Sequence, residues 1–432
     1  MAGNAQFDLV IVGGGMVGAS LLCALSPLVN RYGLRVAIIE AFPLYAQASA
    51  GNSGGQAKRS YQPSYDARST ALSWGSRNIF KRMGLWEKLV EQATPIERIH
   101  VSDRGHFGSV RMNAQDYSVD ALGYVVENGW LGQVLLETVE QMKQVKLICP
   151  AQVARVESIP TGTRISFEQE GSSQSIEAGL LVIADGGRSE LCQQLKVESE
   201  QHDYLQHAII ANVTVQKAHQ NVAYERFTSA GPLALLPLHE PGKRASEQNR
   251  SALVLSVGAD EVDVLMAMDN KAFIEQLQEK FGYRLGRFEQ VGERHSYPLT
   301  LRRATDQIRN GIVIMGNAAH TLHPVAGQGF NLALRGVAAL AETIREACTQ
   351  NEWLGSIDVL QRYLARCDSD QQQTIAFSDQ MIKLFSNDDF LLSHLRDLGL
   401  VALDCAPLAK KLFAHKAMGF SHQVPPTFHA GK

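Results

Sequence analysis

The apolar positions at the start of the chain change period twice within forty residues. Residues 7–12 form a short run that is apolar apart from Asp8, residues 17–28 show helical spacing, and residues 35–39 are apolar again after Arg35 and before Glu40. This order predicts a strand buried on both faces, a glycine turn, a helix and a second strand. Residues 42–65 are rich in Ser, Gly, Gln and Pro, lack sustained periodicity, and read as a long surface excursion of the kind that carries function. Residues 66–85 have helical composition, and residues 131–142 place Leu131, Leu135 and Val139 on one helical face. Between residues 206 and 258 the runs "AIIANVTV", "ALLPL" and "SALVLSV" are separated by Gly and Pro, which predicts an antiparallel sheet in a second lobe. A strand at residues 312–315 leads into a Gly/His/Pro-rich segment and a helix over residues 331–348, and the pattern is mostly helical from residue 358 to about residue 415. There is no internal repeat and no low-complexity segment.

Length and composition narrow the class. A chain of 432 residues exceeds one ordinary domain, so two closely packed lobes are expected. Hydrophobic residues at 45% and charged residues at 20% are globular values, which excludes a fibrous or largely disordered chain. The formal net charge of −3 provides no electropositive field for phosphates, so nucleic acid is not expected as a partner. The six cysteines, Cys23, Cys149, Cys192, Cys348, Cys367 and Cys405, form no C-x-x-C pair and read as reduced thiols of a cytoplasmic protein. The apolar stretch 9–28 follows Asp8 rather than a basic segment and is broken by three glycines, which argues against a signal peptide. No other run is long and charge-free enough to span a bilayer, so any membrane contact is expected to be peripheral.

Two glycine-rich turns carry the chemistry. Gly13-x-Gly15-x-x-Gly18 lies between a predicted strand and a predicted helix. In that setting the first glycine permits the tight turn, the second lets the backbone approach a pyrophosphate, and the third permits close helix–strand contact. Phosphate charge then meets helix N-terminal amides. Glu40 ends the next strand, where a carboxylate accepts hydrogen bonds from ribose hydroxyls. The second turn runs Gly316-Asn317-Ala318-Ala319-His320, then Pro324, then Gly327-Gln328-Gly329-Phe330-Asn331, and it also opens a helix. Glycines flanking Gln328 leave backbone amides free to face an anionic ring or a phosphate.

The segment "GNAAHTLHPVAGQGFNLALRG" closely resembles the flavin-contacting segment of the group A flavoprotein aromatic hydroxylases, written G-D-A-A-H-x-x-x-P-x-x-G-Q-G-x-N. Their D-G-x-x-S signature appears as Asp185-Gly186-Gly187-Arg188-Ser189. Within that superfamily "VSDRGHFG", "ERFTSAGPLALLPL" and "YPLTL" resemble the ubiquinone-biosynthesis branch, and the likeness runs from about residue 7 to residue 420. It implies an α/β fold: a Rossmann-like FAD-binding domain of the glutathione-reductase type, an antiparallel-sheet substrate domain and C-terminal helices, as in p-hydroxybenzoate hydroxylase. The implied division gives residues 1–80, 115–195 and 296–370 to the FAD-binding domain and residues 81–114 and 196–295 to the substrate domain. Residues 371–432 form a helical C-terminal region.

The resemblance implies that Gly13, Gly15 and Gly18 contact the FAD pyrophosphate and Glu40 the adenosine ribose. Arg68 matches an arginine near the flavin end, and Asn128 stands where relatives carry Arg or Gln toward FAD. Asn317 replaces the usual aspartate on the ribityl chain, where an amide still donates and accepts. Asp185, Gly316, Gln328, Gly329, Phe330 and Asn331 complete the cofactor set, and backbone near Pro324 and Gly327 neighbours the reactive flavin edge. Cys192 replaces an arginine that many relatives carry three residues after Ser189. For Asp185 and Ser189, capping or bracing a turn is the alternative reading.

The implied activity is hydroxylation of a polyprenylated phenol, 2-octaprenyl-6-methoxyphenol to its benzoquinol. NAD(P)H reduces FAD, O2 adds at flavin C4a, and the hydroperoxide passes one oxygen atom to the ring. No side chain is assigned as the base. Tyr224, Arg226 and Phe227, with Gly231, Leu233 and Leu235 of "GPLALLPL", are candidates for the wall of an apolar substrate cavity, with interior strand packing as the alternative. His320 and His323 read as structural histidines rather than metal ligands. Apolar residues 381–412 interleaved with Lys383, Arg396, Lys410 and Lys411 suggest contact with the inner face of a membrane or with other ubiquinone-biosynthesis proteins, packing on the main body being the alternative. Two further readings stay open: a flavoprotein of the same fold acting on another aromatic or prenyl substrate, and a non-catalytic FAD-bearing subunit.

Overall fold

The computed structural model describes residues 6–43, 68–104, 109–187, 189–228, 230–324 and 327–385. Most of the 42–65 excursion and of the 381–412 segment lie outside the described residues, as do residues 105–108, Arg188, Val325, Ala326 and Cys405.

The first sheet is built on the strand Phe7–Val12, which pairs in parallel with Ser172–Ile183 on one side and Val36–Ile39 on the other. Val145–Ile148 extends it beyond Val36–Ile39, and Ile312–Ile314 joins Ser172–Ile183, both in parallel register. Strands covered on both faces read as continuous apolar runs, which is why "FDLVIV" and "VAII" carry little alternation. The helices Met16–Tyr32, Asn128–Glu140, Gln328–Gln350 and Ile357–Phe385 cover one face around a core that includes Leu21, Leu22, Leu135 and Leu340. Each such fully buried side chain contributes roughly 1.5–3 kcal/mol. On the other side Ile165 and Phe167, from the antiparallel hairpin Gln152–Ile159 and Gly162–Gln169, pack with Val10 and Ile183.

The second sheet runs in the order His320–Thr321, His295–Ala304, Ser199–Val215, Arg250–Gly258, Gly231–Pro237, Val222–Thr228, Arg98–Asp103 and Ser109–Asn113, with Phe288–Val291 paired beside Ser199–Val215. Helices Val262–Ala267 and Asn270–Phe281 cover one of its faces. The strands His295–Ala304 and His320–Thr321 carry this sheet past residue 295, where the sequence reading ended the substrate domain.

One predicted helix is partly a strand. Ser69–Ser73 pairs antiparallel with Gly123–Glu127, and the helix begins only at Trp74. Ser73 caps that helix by accepting the Ser76 amide at 3.2 Å, a start signal that composition across residues 66–85 conceals. The helices elsewhere start earlier than the apolar spacing suggests: Gln328–Gln350 includes the glycine-rich segment as its first turn.

The strand that delivers the second glycine turn is held from behind. Gly311 donates its amide to the Gly355 carbonyl at 2.7 Å, and a Cβ on Gly355 would lie 2.1 Å from the Gly179 carbonyl oxygen. Gly355→Ala is therefore expected to overpack this crossing and lower stability by about 1–3 kcal/mol. Urea denaturation measures it, and an unchanged midpoint would show that the crossing has slack.

Candidate functional site

The C-terminal ends of Phe7–Val12 and Ser172–Ile183, two adjacent parallel strands, open onto a cavity of about 940 Å³. Clefts for small ligands and cofactors span about 300–1,000 Å³, so this one is large. It lies where a doubly wound sheet places a ligand, and its far wall is the uncovered face of the second sheet.

At the nucleotide end, Gly13 and Gly15 line the cavity. Gly13 holds a φ of 103°, and a Cβ there would approach the Ala184 carbonyl oxygen to 2.4 Å. Gly15 is the N-cap of Met16–Tyr32 and gives no side-chain hydrogen bond to its amides, which leaves the positive end of a 17-residue helix directed at the cavity. Gly18 and Gly316 do not reach the cavity lining. A Cβ on Gly18 would lie 1.9 Å from the Gly13 carbonyl oxygen, and one on Gly316 would lie 2.9 Å from Val17 Cγ2. Both are packing glycines that let the first helix sit against the two turns. Gln328 is buried and likewise does not line the cavity.

Glu40 is buried at the cavity edge. Its carboxylate accepts the Gly14 amide at 2.5 Å and the Phe42 amide at 2.8 Å, so the acid braces the glycine turn as well as facing the cavity. Asp185 also faces the cavity and accepts the Ser189 hydroxyl at 2.8 Å. Burial raises its carboxyl above the usual range, because the surrounding protein limits hydration even though the side chain meets the open crevice. Ser189 in turn accepts the Cys192 amide at 3.1 Å, capping the short helix Glu190–Gln194. The bracing role and the cavity-facing role thus fall on different members of this pair.

The flavin-side candidates converge on the same space. Arg68 lies over the Tyr297 ring at 4.9 Å, and Asn128 accepts the Thr70 hydroxyl at 2.7 Å; both Arg68 and Asn128 line the cavity, with Asn317, Pro324, Gly327, Gly329, Phe330 and Asn331. Gly327 adopts φ 59° ahead of the helix Gln328–Gln350, and a Cβ would meet Ala71 Cβ at 3.2 Å. Asn331 is the most heavily bonded of the set. Its Nδ2 donates to the carbonyls of Ala71 at 2.8 Å and Gly327 at 2.7 Å, and its Oδ1 accepts the Ser73 amide at 2.8 Å and the Ser76 hydroxyl at 2.7 Å. Its amide is consumed in holding the turn to the Ser69–Ser73 strand.

The far wall corrects the sequence reading of the substrate residues. Leu233 and Leu235 are fully buried with Phe273 and Leu277 under the covering helices, on the face away from the cavity. Gly231 does not line the cavity either; its carbonyl accepts the Thr228 hydroxyl at 2.7 Å. Tyr224 borders the cavity, but its ring meets Phe281 edge-on at 5.6 Å on the helix-covered face. Arg226 shares that face and donates to the Lys280 carbonyl at 3.2 Å. Phe227 does face the cavity. Successive strand residues point to opposite faces, and the registers Glu225 to Ala234 and Ala234 to Val254 place those three on the cavity side with Ile99, Val101, Ala223, Leu236 and Ala252. The sequence reading missed Glu225. Ala234 and Leu236 lie within "GPLALLPL", the segment it offered as a wall, but the residues it named there, Gly231, Leu233 and Leu235, are not the ones that line the cavity.

His320 and His323 are buried. The ring of His323 meets Tyr204 edge-on at 5.4 Å, and the Tyr204 hydroxyl donates to Asp379 at 3.2 Å. Among the described residues no group of three or more His, Cys, Asp or Glu side chains is arranged to hold a metal. Cys23, Cys149, Cys192, Cys348 and Cys367 are free thiols, and no described helix is long and apolar enough to cross a membrane.

A family model described as "FAD binding domain" matches residues 6–378. The ubiquinone hydroxylase UbiL of Rhodospirillum rubrum is 33% identical over 95% of this chain and 89% of its own length. The 3-demethoxyubiquinol 3-hydroxylase of Escherichia coli is 28% identical over 96% of this chain and 99% of its own. Among solved structures, p-nitrophenol 4-monooxygenase PnpA from Pseudomonas putida superposes with a TM-score of 0.74 at 15% identity, covering 95% of this chain and 98% of that one. A variant of HpxO from Klebsiella pneumoniae, complexed with FAD, gives 0.70 at 15% identity and covers 96% and 99%. At such identities the structural likeness speaks for the fold.

The histidines give the site a pH signature. Burial pushes both His320 and His323 down to about 4, and His100, buried beside Arg284, falls to about 4 as well. An unfolded histidine protonates near pH 6.5. Between those values the unfolded chain binds protons that the folded chain refuses, so stability is full above about 6.5 and falls as pH drops toward 4, by up to ~1.4 kcal/mol per pH unit for each histidine. His320→Gln is expected to bring the urea midpoints at pH 7 and pH 5 closer together than in the unsubstituted protein. Equal spacing would show that His320 does not contribute.

Proposed function

The chain belongs to the FAD-binding-domain family, within it to the FAD-dependent hydroxylases of ubiquinone biosynthesis, and on that premise we propose that it hydroxylates the ring of a polyprenylated phenol such as 2-octaprenyl-6-methoxyphenol, with NAD(P)H and O2 as co-substrates. The observation that carries this reading is the division of one cavity into a glycine-lined end at a helix N-terminus and an apolar sheet wall.

The residues present fit FAD. Gly15 lines the cavity at the uncapped N-terminus of the helix Met16–Tyr32, where helix amides meet an anion, and its own backbone is ordinary, with φ −67°. Bound there, FAD supplies the activation of triplet dioxygen that a closed-shell phenol cannot achieve alone. The chain's own residues then do the positioning. Gly15 and the first turn of the helix Met16–Tyr32 would offer backbone amides to the diphosphate, while Gly13, whose own amide donates to the Ile39 carbonyl at 2.9 Å, shapes the turn. Glu40, oriented by the amides of Gly14 and Phe42, presents a carboxylate edge to ribose hydroxyls. Asn317 and Asp185 line the cavity and would hold the ribityl chain, and Pro324 and Gly327 would bring backbone to the ring edge. Asn331 keeps that backbone in place. The apolar wall of Val101, Ala234, Leu236 and Val254 accommodates a prenyl chain and keeps water from the reacting ring.

Two outcomes test the reading. The purified protein is expected to carry FAD and to consume NAD(P)H and O2 in step with a prenylated phenol, yielding a product one oxygen atom heavier by mass spectrometry; oxidation of NAD(P)H with no hydroxylated product would refute it. Gly15→Val is expected to yield protein largely free of FAD whose urea stability stays within about 1 kcal/mol of the parent stripped of FAD, and normal flavin content in this variant would remove the diphosphate assignment.

A further inference from the structure

Glu225 lies in the strand Val222–Thr228 and lines the cavity. Among the described residues that the second sheet contributes to the cavity, it is the one carboxylate. The other cavity-lining carboxylates belong to the first-sheet side: Glu40 and Asp185 follow the strands Val36–Ile39 and Ser172–Ile183, and Glu190 opens the helix Glu190–Gln194. The lateral neighbours of Glu225 in register are Val101 on one side and Ala234 on the other.

Strand alternation fixes which way Glu225 faces. Tyr224 packs on Phe281, and Arg226 bonds to the Lys280 carbonyl, both on the helix-covered side. Glu225, between them, faces the cavity. A phenol entering an apolar cavity gives up water from its hydroxyl, which is costly unless an acceptor replaces it. A prenyl tail needs the reverse, a wall without polar groups. One acceptor in an apolar wall therefore sets the direction in which an amphipathic phenol enters.

We propose that Glu225 accepts the hydrogen bond of the substrate's ring hydroxyl and so orients the aromatic head in the cavity. The inference rests on the proposed reading of the cavity as the site for a prenylated phenol. A carboxylate accepts through two oxygens and about four lone-pair directions, so a protein donor on one oxygen is compatible with a phenol on the other. A charged acceptor also draws the O–H bond toward ionisation and raises electron density in the ring, the state in which an aromatic carbon takes up an oxygen atom most readily.

The test compares a short-chain prenylated phenol with its O-methyl ether, which keeps the ring and the tail but has a methyl group in place of the hydroxyl proton. Binding of each is measured by calorimetry to the FAD-loaded protein, to Glu225→Leu and to Glu225→Gln. The parent is expected to bind the phenol about ten- to a hundredfold more tightly than the ether. Glu225→Leu is expected to bind the two within about threefold while keeping the parent's ether affinity and FAD content, and Glu225→Gln, whose amide oxygen is a neutral acceptor, is expected to fall between them. If either variant keeps the parent's full discrimination, the assignment to Glu225 is overturned and the substrate reading stands. If the parent binds neither compound, both are overturned.

Discussion

One amide holds the two halves of the site together. Asn331 bonds to Ala71, Ser73, Ser76 and Gly327, joining segments separated by 258 residues of chain between Ser73 and Asn331. An asparagine has two donor hydrogens and one carbonyl oxygen, and here all three are engaged with good geometry. The strand Ser69–Ser73 has its edge set by Gly123–Glu127, and the Gly327 turn is set by the start of a 23-residue helix. Asn331 fixes one against the other, so the backbone near Pro324 and Gly327 has a defined distance from Arg68 and Asn128.

The cavity that results is chemically divided. Its first-sheet side offers amides, carboxylates and Asn317, and its second-sheet side offers aliphatic side chains with Glu225 among them. This follows from topology. Parallel strands end in turns whose backbone is unpaired, and unpaired backbone is polar. An antiparallel sheet has its backbone paired internally and presents only side chains on its open face. A charged diphosphate and a hydrocarbon tail would therefore suit different sides of this cavity.

The glycine turns were legible in the sequence because their function is a backbone requirement, and only glycine meets it at Gly13, where φ is 103°. What sequence could not separate was which glycines face the ligand and which face a helix: Gly15 lines the cavity while Gly18 and Gly316 only let the first helix approach. The wall residues were harder. In "GPLALLPL" both faces of the strand are apolar, so composition carries no sign of inside and outside, and the phase comes from distant partners, Phe273 and Leu277 on one face and the cavity on the other. Ser69–Ser73 escaped for a related reason: its strand character depends on pairing with Gly123–Glu127, which lies 50 residues later.

The strand Gly231–Pro237 has two faces with separate obligations. Leu233 and Leu235 answer to the helices beneath, whose close packing resists change in volume, whereas Ala234 and Leu236 face the cavity, Leu236 also packing against Ile96, Val125 and Leu238. Neighbouring positions on a single strand can therefore drift independently. Such an arrangement lets the bore of the chamber widen or narrow by substitution at alternate positions while the scaffold behind it stays untouched, which is how one architecture can come to admit guests of different girth.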